Sequence, residues 1–378
     1  MQTIFIFLPQ KFNHLRNCTF ILFIFTLQAL IIQEGKTQTT PKYSNEFLAI
    51  GVGARAFAMG NSVVSTTENI TAVYWNPAGL TALENPINIG LMHSEYFSGL
   101  AQYDFGALAF KTDEANAFAV SFIRFGVDNI PNTLELIDQD GNIRFDRIQS
   151  FSVADYAITF SYAKRLTVEG LAVGGNLKII RRIGGSFASA WGFGIDLAAQ
   201  YHWKQWHFAL MARDITTTYN AWSFNTEELT SVFTLTGNAI PENSSEITLP
   251  RFVFGAAREF KLSPKFGLLA EANLDATTDG KRNVLIKSNL LSIDPHMGVE
   301  VHYQNMVFLR AGINNLQKEY DSGEHTTLQP NIGLGFRYKK LCIDYALTNV
   351  GNVSIAGYSH VFSISIALDK NQININKP

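Results

Sequence analysis

The sequence is 378 residues long, with 30 Lys+Arg against 32 Asp+Glu and a formal net charge of −2. That balance excludes the basic excess of a nucleic-acid binder, and no block of like charge reads as an interaction tail. Charged residues are only 16%, against roughly 25% in soluble domains, while aromatics reach 12% with 29 Phe; a large share of such a chain is either buried or turned toward lipid.

In chain order, residues 1–38 read as an export signal: Lys11, His14 and Arg16 form a basic flank ahead of an apolar run over 18–32 that Gln28 interrupts. The run is shorter than the about 20 apolar residues a membrane-spanning helix needs, and cleavage is expected within 33–38. Cys18 falls in the removed part, which leaves Cys342 alone and rules out an internal disulfide or a Cys-based metal site. Residues 39–85 are small and weakly periodic. Gly53 and Gly60, with Gly51, permit tight backbone paths. A short helix is expected over 68–75, ended by Asn76-Pro77, because proline removes a donor and pushes the preceding residue out of helical geometry. A compact non-strand segment of this kind, placed ahead of strands, is expected to form a plug or hatch.

From residue 86 the pattern changes to period two. Trp191, Phe193, Ile195, Leu197 and Tyr201 share one face against Gly192, Gly194, Asp196 and Gln200; Ile332, Leu334, Phe336 and Tyr338 oppose Gly333, Gly335 and Arg337; Phe362, Ile364, Ile366 and Leu368 oppose Ser359, Ser363, Ser365 and Ala367. Alternation over seven or more residues signals strands. About fourteen such segments lie near 86–96, 103–111, 116–125, 152–164, 169–182, 190–202, 206–214, 250–260, 266–274, 294–303, 306–314, 328–338, 340–348 and 357–368, with 103–111 and 250–260 ambiguous in parity. Tight connections alternate with long ones at 126–151, 215–249, 276–293 and 316–327, as in outer-membrane barrels. The fold expected is all-β: a transmembrane antiparallel barrel of about fourteen strands over 86–368, with 369–378 as a polar tail. A secreted β-sandwich with its apolar faces turned inward would give the same alternation.

The polar face carries mixed charges, among them Asp155, Lys178 and Arg213. A lumen polar cluster is expected from Asp196, Glu271, Glu300, His302, Arg310, Arg337 and Asp344, either ordering a ligand or the hatch, or filling the lumen as a structural ion-pair network. Arg55 lies in a small, apolar stretch. It is expected either to pair with a lumen carboxylate such as Asp196, Glu271, Glu300 or Asp344, since an unpaired buried charge is costly, or to sit exposed on the periplasmic side. The eight His show no His-x-x-x-His or HExxH spacing, and no nucleophile elbow or P-loop is present, so no metal, no cofactor and no catalytic residue is expected. His202 and His207 flank Lys204-Gln205 and are expected at a strand turn.

The stretch Gly53-Ala54-Arg55-Ala56, then Met59-Gly60, then Ala72-Val73-Tyr74-Trp75-Asn76-Pro77-Ala78-Gly79-Leu80 resembles the N-terminal signature of the PorV/PorQ family of outer-membrane proteins in Bacteroidetes-type bacteria, within the wider FadL-like group of fourteen-stranded barrels. The run from Gly126 to Thr133 is similar to a further feature of that family. The polar tail past Leu368 departs from the terminal aromatic of many such barrels. The resemblance implies an outer-membrane location, contact with outer-membrane lipid, no enzymatic activity, and an accessory role in type IX protein secretion or surface attachment, with secretion-system proteins or secreted cargo as partners. The long loops 126–151 and 215–249 would then meet them, with Trp222, Phe224, Leu229, Val232, Phe233 and Leu235 as exposed apolar candidates. The alternative it implies is FadL-like passage of a hydrophobic ligand, with Phe57, Met59, Val63 and Tyr74 lining a pocket.

Overall fold

The computed structural model describes residues 44–138, 140–227, 229–230, 233, 239, 242–319, 325–349 and 358–369. The expected export signal, the start of the plug at 39–43, Val232, Leu235 and the tail from 370 lie outside them. Seventeen β-segments follow one another among the described residues: β1 (Ile87–Tyr96), β2 (Ala101–Lys111), β3 (Asn116–Asn132), β4 (Gln149–Arg165), β5 (Leu171–Gly184), β6 (Ala188–Trp203), β7 (Trp206–Arg213), β8 (Thr218–Phe224), β9 (Ser244–Thr248), β10 (Arg251–Lys261), β11 (Phe266–Thr277), β12 (Ile286–Lys287), β13 (Ser292–Tyr303), β14 (Val307–Glu319), β15 (His325–Tyr338), β16 (Leu341–Thr348) and β17 (Ser359–Leu368).

Fourteen of these form one closed antiparallel ring. Each wall strand pairs with the next, β7 pairs with β10, β11 with β13, and β17 returns to β1 from Ile87↔Leu368 to Glu95↔His360. Closure removes the unpaired edges that an open sheet would present. The fourteen wall strands fall on the fourteen alternating segments read from the sequence. β8 and β9 extend the wall: β8 continues past β7 along β6, and β9 pairs with β8 above β10. The expected loop 215–249 therefore narrows to 225–243, and 126–151 narrows to 133–148 because β3 and β4 run on as a long hairpin.

The exterior is apolar along every stave, with Trp191, Phe193, Leu309, Leu334 and Phe362 among the exposed side chains. Strands of this length suit a membrane, where about 9–11 tilted residues cross. Lipid offers the backbone no hydrogen bonds, so only a closed ring satisfies it. Aromatic side chains mark one rim: Trp206 stacks with Phe208, and the Arg258 guanidinium lies 5.1 Å over Trp206 and 4.9 Å over Phe260. That rim also carries the short turns, where Lys204, Gln304, Asn305 and Lys339 take positive φ, together with the start of β1 and the end of β17. In outer-membrane barrels it is the periplasmic rim.

Residues 44–83 fold inside the ring as short helical pieces. These are a 3-10 turn at Glu46–Ala49, α1 (Ala54–Ala58), α2 (Ala72–Trp75) and a second 3-10 turn at Pro77–Ala82. The helix expected over 68–75 starts later because the Asn69 side chain accepts hydrogen bonds from the Thr71 N–H (2.9 Å) and hydroxyl (2.6 Å), a local turn that competes with helix. The segment is almost wholly buried, with Val52, Ala54, Ala58, Met59, Ala72, Val73 and Leu80 removed from solvent. Wall glycines make room for it: a Cβ on Gly174 would lie 2.6 Å from the Ala78 nitrogen, and one on Gly312 would overlap the Met59–Gly60 peptide. Tyr103 and Phe105 of β2 turn inward to pack on the segment, which is why parity over 103–111 is ambiguous in the sequence.

Candidate functional site

The motif residues of the N-terminal segment form a hydrogen-bonded knot. Trp75 Nε1 donates to the Val52 carbonyl (2.8 Å), and the Tyr74 hydroxyl donates to that of Leu48 (2.5 Å). Asn76 Nδ2 donates to the carbonyls of Val64 (3.0 Å) and of Ala199 in β6 (3.2 Å), while its Oδ1 accepts from the Ala78 N–H (3.1 Å) and so caps the turn that Pro77 begins. Asparagine suits this place because it offers donors and an acceptor from one short side chain. Gly79 leaves no space for a Cβ against the Thr67 carbonyl. The Gly53 N–H points at the Met92 sulfur, and Gly60, at φ 60°, turns the chain against the Ile313 backbone. Arg213 of β7 lies 4.3 Å over the Tyr74 ring.

Arg55 is the charged link between segment and wall. Its Nε donates to Glu300 Oε2 at 3.0 Å. The same carboxylate oxygen accepts from Arg310 Nε (2.5 Å), and Arg310 Nη1 reaches Asp344 Oδ1 (2.6 Å). Arg55 Nη2 also donates to Thr66, whose hydroxyl donates to Glu271 Oε2, and Glu271 Oε1 accepts the Ser65 N–H at 2.7 Å. Charges this deeply buried need partners on every side.

The seven expected lumen residues do not form a single cluster. Glu300, Arg310 and Asp344 meet around Arg55, and Glu271 joins through Thr66. Asp196 belongs to a second group, where Lys178 contacts it at 2.8 Å and Asp214 at 2.5 Å. Arg337 is exposed and lies over the Phe308 ring at 5.4 Å, and His302 is half-buried beside the same ring. Alternation gives the face of each residue, but strand tilt and the filled lumen decide its neighbours. Asp214, Thr66 and Gln200, whose amide donates to the Ser65 carbonyl (2.6 Å), were not singled out from sequence. Nor was His296, held between Ser62 (3.0 Å) and Asp275 (3.1 Å); its inward parity with Glu300 was the available signal.

A cavity of about 760 Å³ opens at the short-turn rim, with Arg55, Glu300 and Arg310 among its lining and Lys261, Lys265, Lys339 and Lys340 around it. Phe57, Met59, Val63 and Tyr74, expected as a ligand pocket, line neither this cavity nor the small one beside Gly53 and Ile70; they are packed core.

At the opposite rim the described residues of the β3–β4 loop expose apolar side chains. Ile137, Ile143 and Phe145 protrude from 133–148, and Ile137 bridges Ile143. The loop has internal order: backbone N–H groups of Asn142 and Asp140 bond the Asp138 carboxylate, and the Asn142 bond holds that carboxyl below its usual range. By contrast, Trp222 and Phe224 lie half-buried on the inward face of β8, with Arg182 4.9 Å over Trp222, while Leu229 is buried and Phe233 half-buried. These four of the six residues expected there thus do not form an exposed apolar surface, and Val232 and Leu235 lie outside the described residues.

Residues 33–219 match the family model described as type IX secretion system protein PorV. No curated protein matches the chain significantly. Among solved structures, the CymD monoaromatic hydrocarbon channel aligns with TM-score 0.54 and 13% identity over 85% of this chain and 98% of that one. The Ralstonia pickettii toluene transporter TbuX aligns at 0.51 and 14% over 85% and 100%. The Pseudomonas putida toluene transporter TodX aligns at 0.51 and 12% over 84% and 98%. At such identities the likeness is one of fold.

Proposed function

Because this chain belongs to the PorV family and has the FadL-like barrel fold, we propose that it is a non-enzymatic outer-membrane accessory of type IX protein secretion or surface attachment. The observation that carries the reading beyond the family is the ordered β3–β4 loop with Ile137, Ile143 and Phe145 exposed at the long-loop rim. An apolar patch on an otherwise polar loop favours a protein partner, and secreted cargo or a secretion-system protein is the partner of that class. Residues 44–85 act as the hatch that keeps the lumen shut, fastened by Arg55 to Glu300 and by Asn76 to β6. The test is a strain carrying Ile137→Asp and Phe145→Asp. Barrel abundance in the outer membrane stays normal, while the amount of secreted protein held at the cell surface falls. Normal surface retention alongside normal barrel abundance would remove the loop from the function.

A second reading, passage of a hydrophobic small molecule, draws support from the named channels that share the fold. Native mass spectrometry of protein extracted in mild detergent separates the two. A co-purifying protein of defined mass supports the accessory role, and a retained lipid or hydrophobic small molecule without protein supports solute passage.

A further inference from the structure

At the short-turn rim the two-residue turn Lys204-Gln205 places His202 of β6 directly opposite His207 of β7. Both belong to the inward face, and their rings meet edge-on with centroids 4.5 Å apart. Across from them Glu68 projects from the stretch of the N-terminal segment between Thr67 and Asn69. Its Oε1 lies 3.3 Å from His202 Nε2, and one ligating atom from each of Glu68, His202 and His207 falls within 4.8 Å of the other two. Glu259 of β10 stands behind, 3.7 Å from His207 Nε2. His207 Nδ1 is buried and has no hydrogen-bond partner, and buried His202 Nε2 lies beside the Glu68 carboxylate without a bond of hydrogen-bond geometry. A buried ring nitrogen without a partner carries a desolvation penalty that something else must offset.

We propose that Glu68, His202 and His207 form a binding site for a divalent transition metal of the zinc class, which fastens the N-terminal segment to the β6–β7 hairpin. Two imidazoles and a carboxylate are a donor set that zinc favours, with bonds of about 2.0–2.1 Å. A tetrahedron with such bonds has edges of roughly 3.3 Å, and the Glu68–His202 separation already has that length. Drawing in the third atom, which lies within 4.8 Å of the other two, completes the face. The fourth position opens to the rim cavity, which Glu68 and His207 line, so the ion enters from the periplasm. The carboxylate of Glu259 faces the other nitrogen of a ligating histidine, an arrangement that orients the ring and raises its basicity. The site joins a wall hairpin to the segment at a point separate from Arg55 and Glu300, and it stands whether or not the secretion reading holds.

The test uses the full-length protein in detergent, treated with chelator and then titrated with Zn²⁺ alone. Calorimetry and elemental analysis are expected to give about one ion per chain for the wild type and none at this site for the His202→Asn/His207→Gln variant. Glu259→Gln is expected to weaken binding about 10–100-fold. Co²⁺ in place of Zn²⁺ is expected to show the intense visible absorption of tetrahedral coordination in wild type and to lose it in Glu68→Gln. Heat-modifiable mobility on gels reports that each variant still forms the barrel. Absence of stoichiometric Zn²⁺ binding by the wild type overturns the site, and so does equal binding by the folded double variant.

Discussion

Glu300→Gln isolates the electrostatic fastening of the N-terminal segment. The substitution preserves volume and removes the charge shared by Arg55 and Arg310. At about 3 Å and an effective dielectric of about 20, each lost contact is worth roughly 5 kcal/mol of gross Coulomb energy. Much of that offsets desolvation, and breaking a buried pair on one side costs about 3–5 kcal/mol net. Arg310 keeps Asp344, whereas Arg55 keeps only Thr66 as a close partner and borders the open cavity; the low end, about 3 kcal/mol, applies. Fourteen hydrogen-bonded staves hold the wall independently, so the cost falls on local release of the segment. At about 1.4 kcal/mol per decade, release becomes roughly 100-fold more populated. The assay is maleimide labelling of Ser62→Cys, a fully buried position, in purified protein with Cys342→Ser. Labelling is expected to be about two orders of magnitude faster with Glu300→Gln, and adding Arg55→Gln should recover part of the loss, because the pair acts as a unit. Equal labelling rates with and without Glu300→Gln would refute the reasoning.

Other perturbations separate the remaining fastenings. Gly312→Val drives a branched side chain into the Met59–Gly60 peptide and costs at least about 1–3 kcal/mol; the same cysteine should label faster, and cells should become sensitive to antibiotics too large for ordinary porins. Asn76→Ala strands the Val64 and Ala199 carbonyls at about 1–3 kcal/mol each, lowering the denaturant concentration at which Trp75 fluorescence changes, whereas Asn76→Asp keeps the bond to Ala78 but also loses these two. Lys178→Met removes the cation that contacts both Asp196 and Asp214; a loss of about 3–5 kcal/mol appears as a lower thermal midpoint of the barrel, partly restored by adding Asp214→Asn.

The wall was legible in the sequence because lipid imposes a rule on every second residue, as Trp191 to Leu197 and Ile332 to Tyr338 display. The rule weakens where the lumen is filled with protein: Tyr103 and Phe105 face inward onto the segment, so apolar side chains occupy both faces of β2. It also breaks where a stave is interrupted. Asp214 and Thr217, at φ 53° and 61°, halt β7, and the continuation as β8 reads in sequence as loop. Helical ligand spacings do not capture the His202–His207 pair, because a tight turn, not a helix, sets these residues opposite each other. Arg55 was recognisable as a charge in need of a partner, while the choice of Glu300 over Asp196 depends on how the segment lies in the lumen.

Closure of β17 onto β1 also has a consequence in time. The part of the chain inside the ring is synthesised first, and the stave that seals the ring is synthesised last. Once sealed, each wall strand is paired on both sides among the described residues. Several wall glycines are shaped to the insert's backbone so closely that neither surface has a shape of its own at these points. Wall and insert are therefore matched like a casting and its core, and a barrel closed around a displaced segment would meet these glycine surfaces out of register.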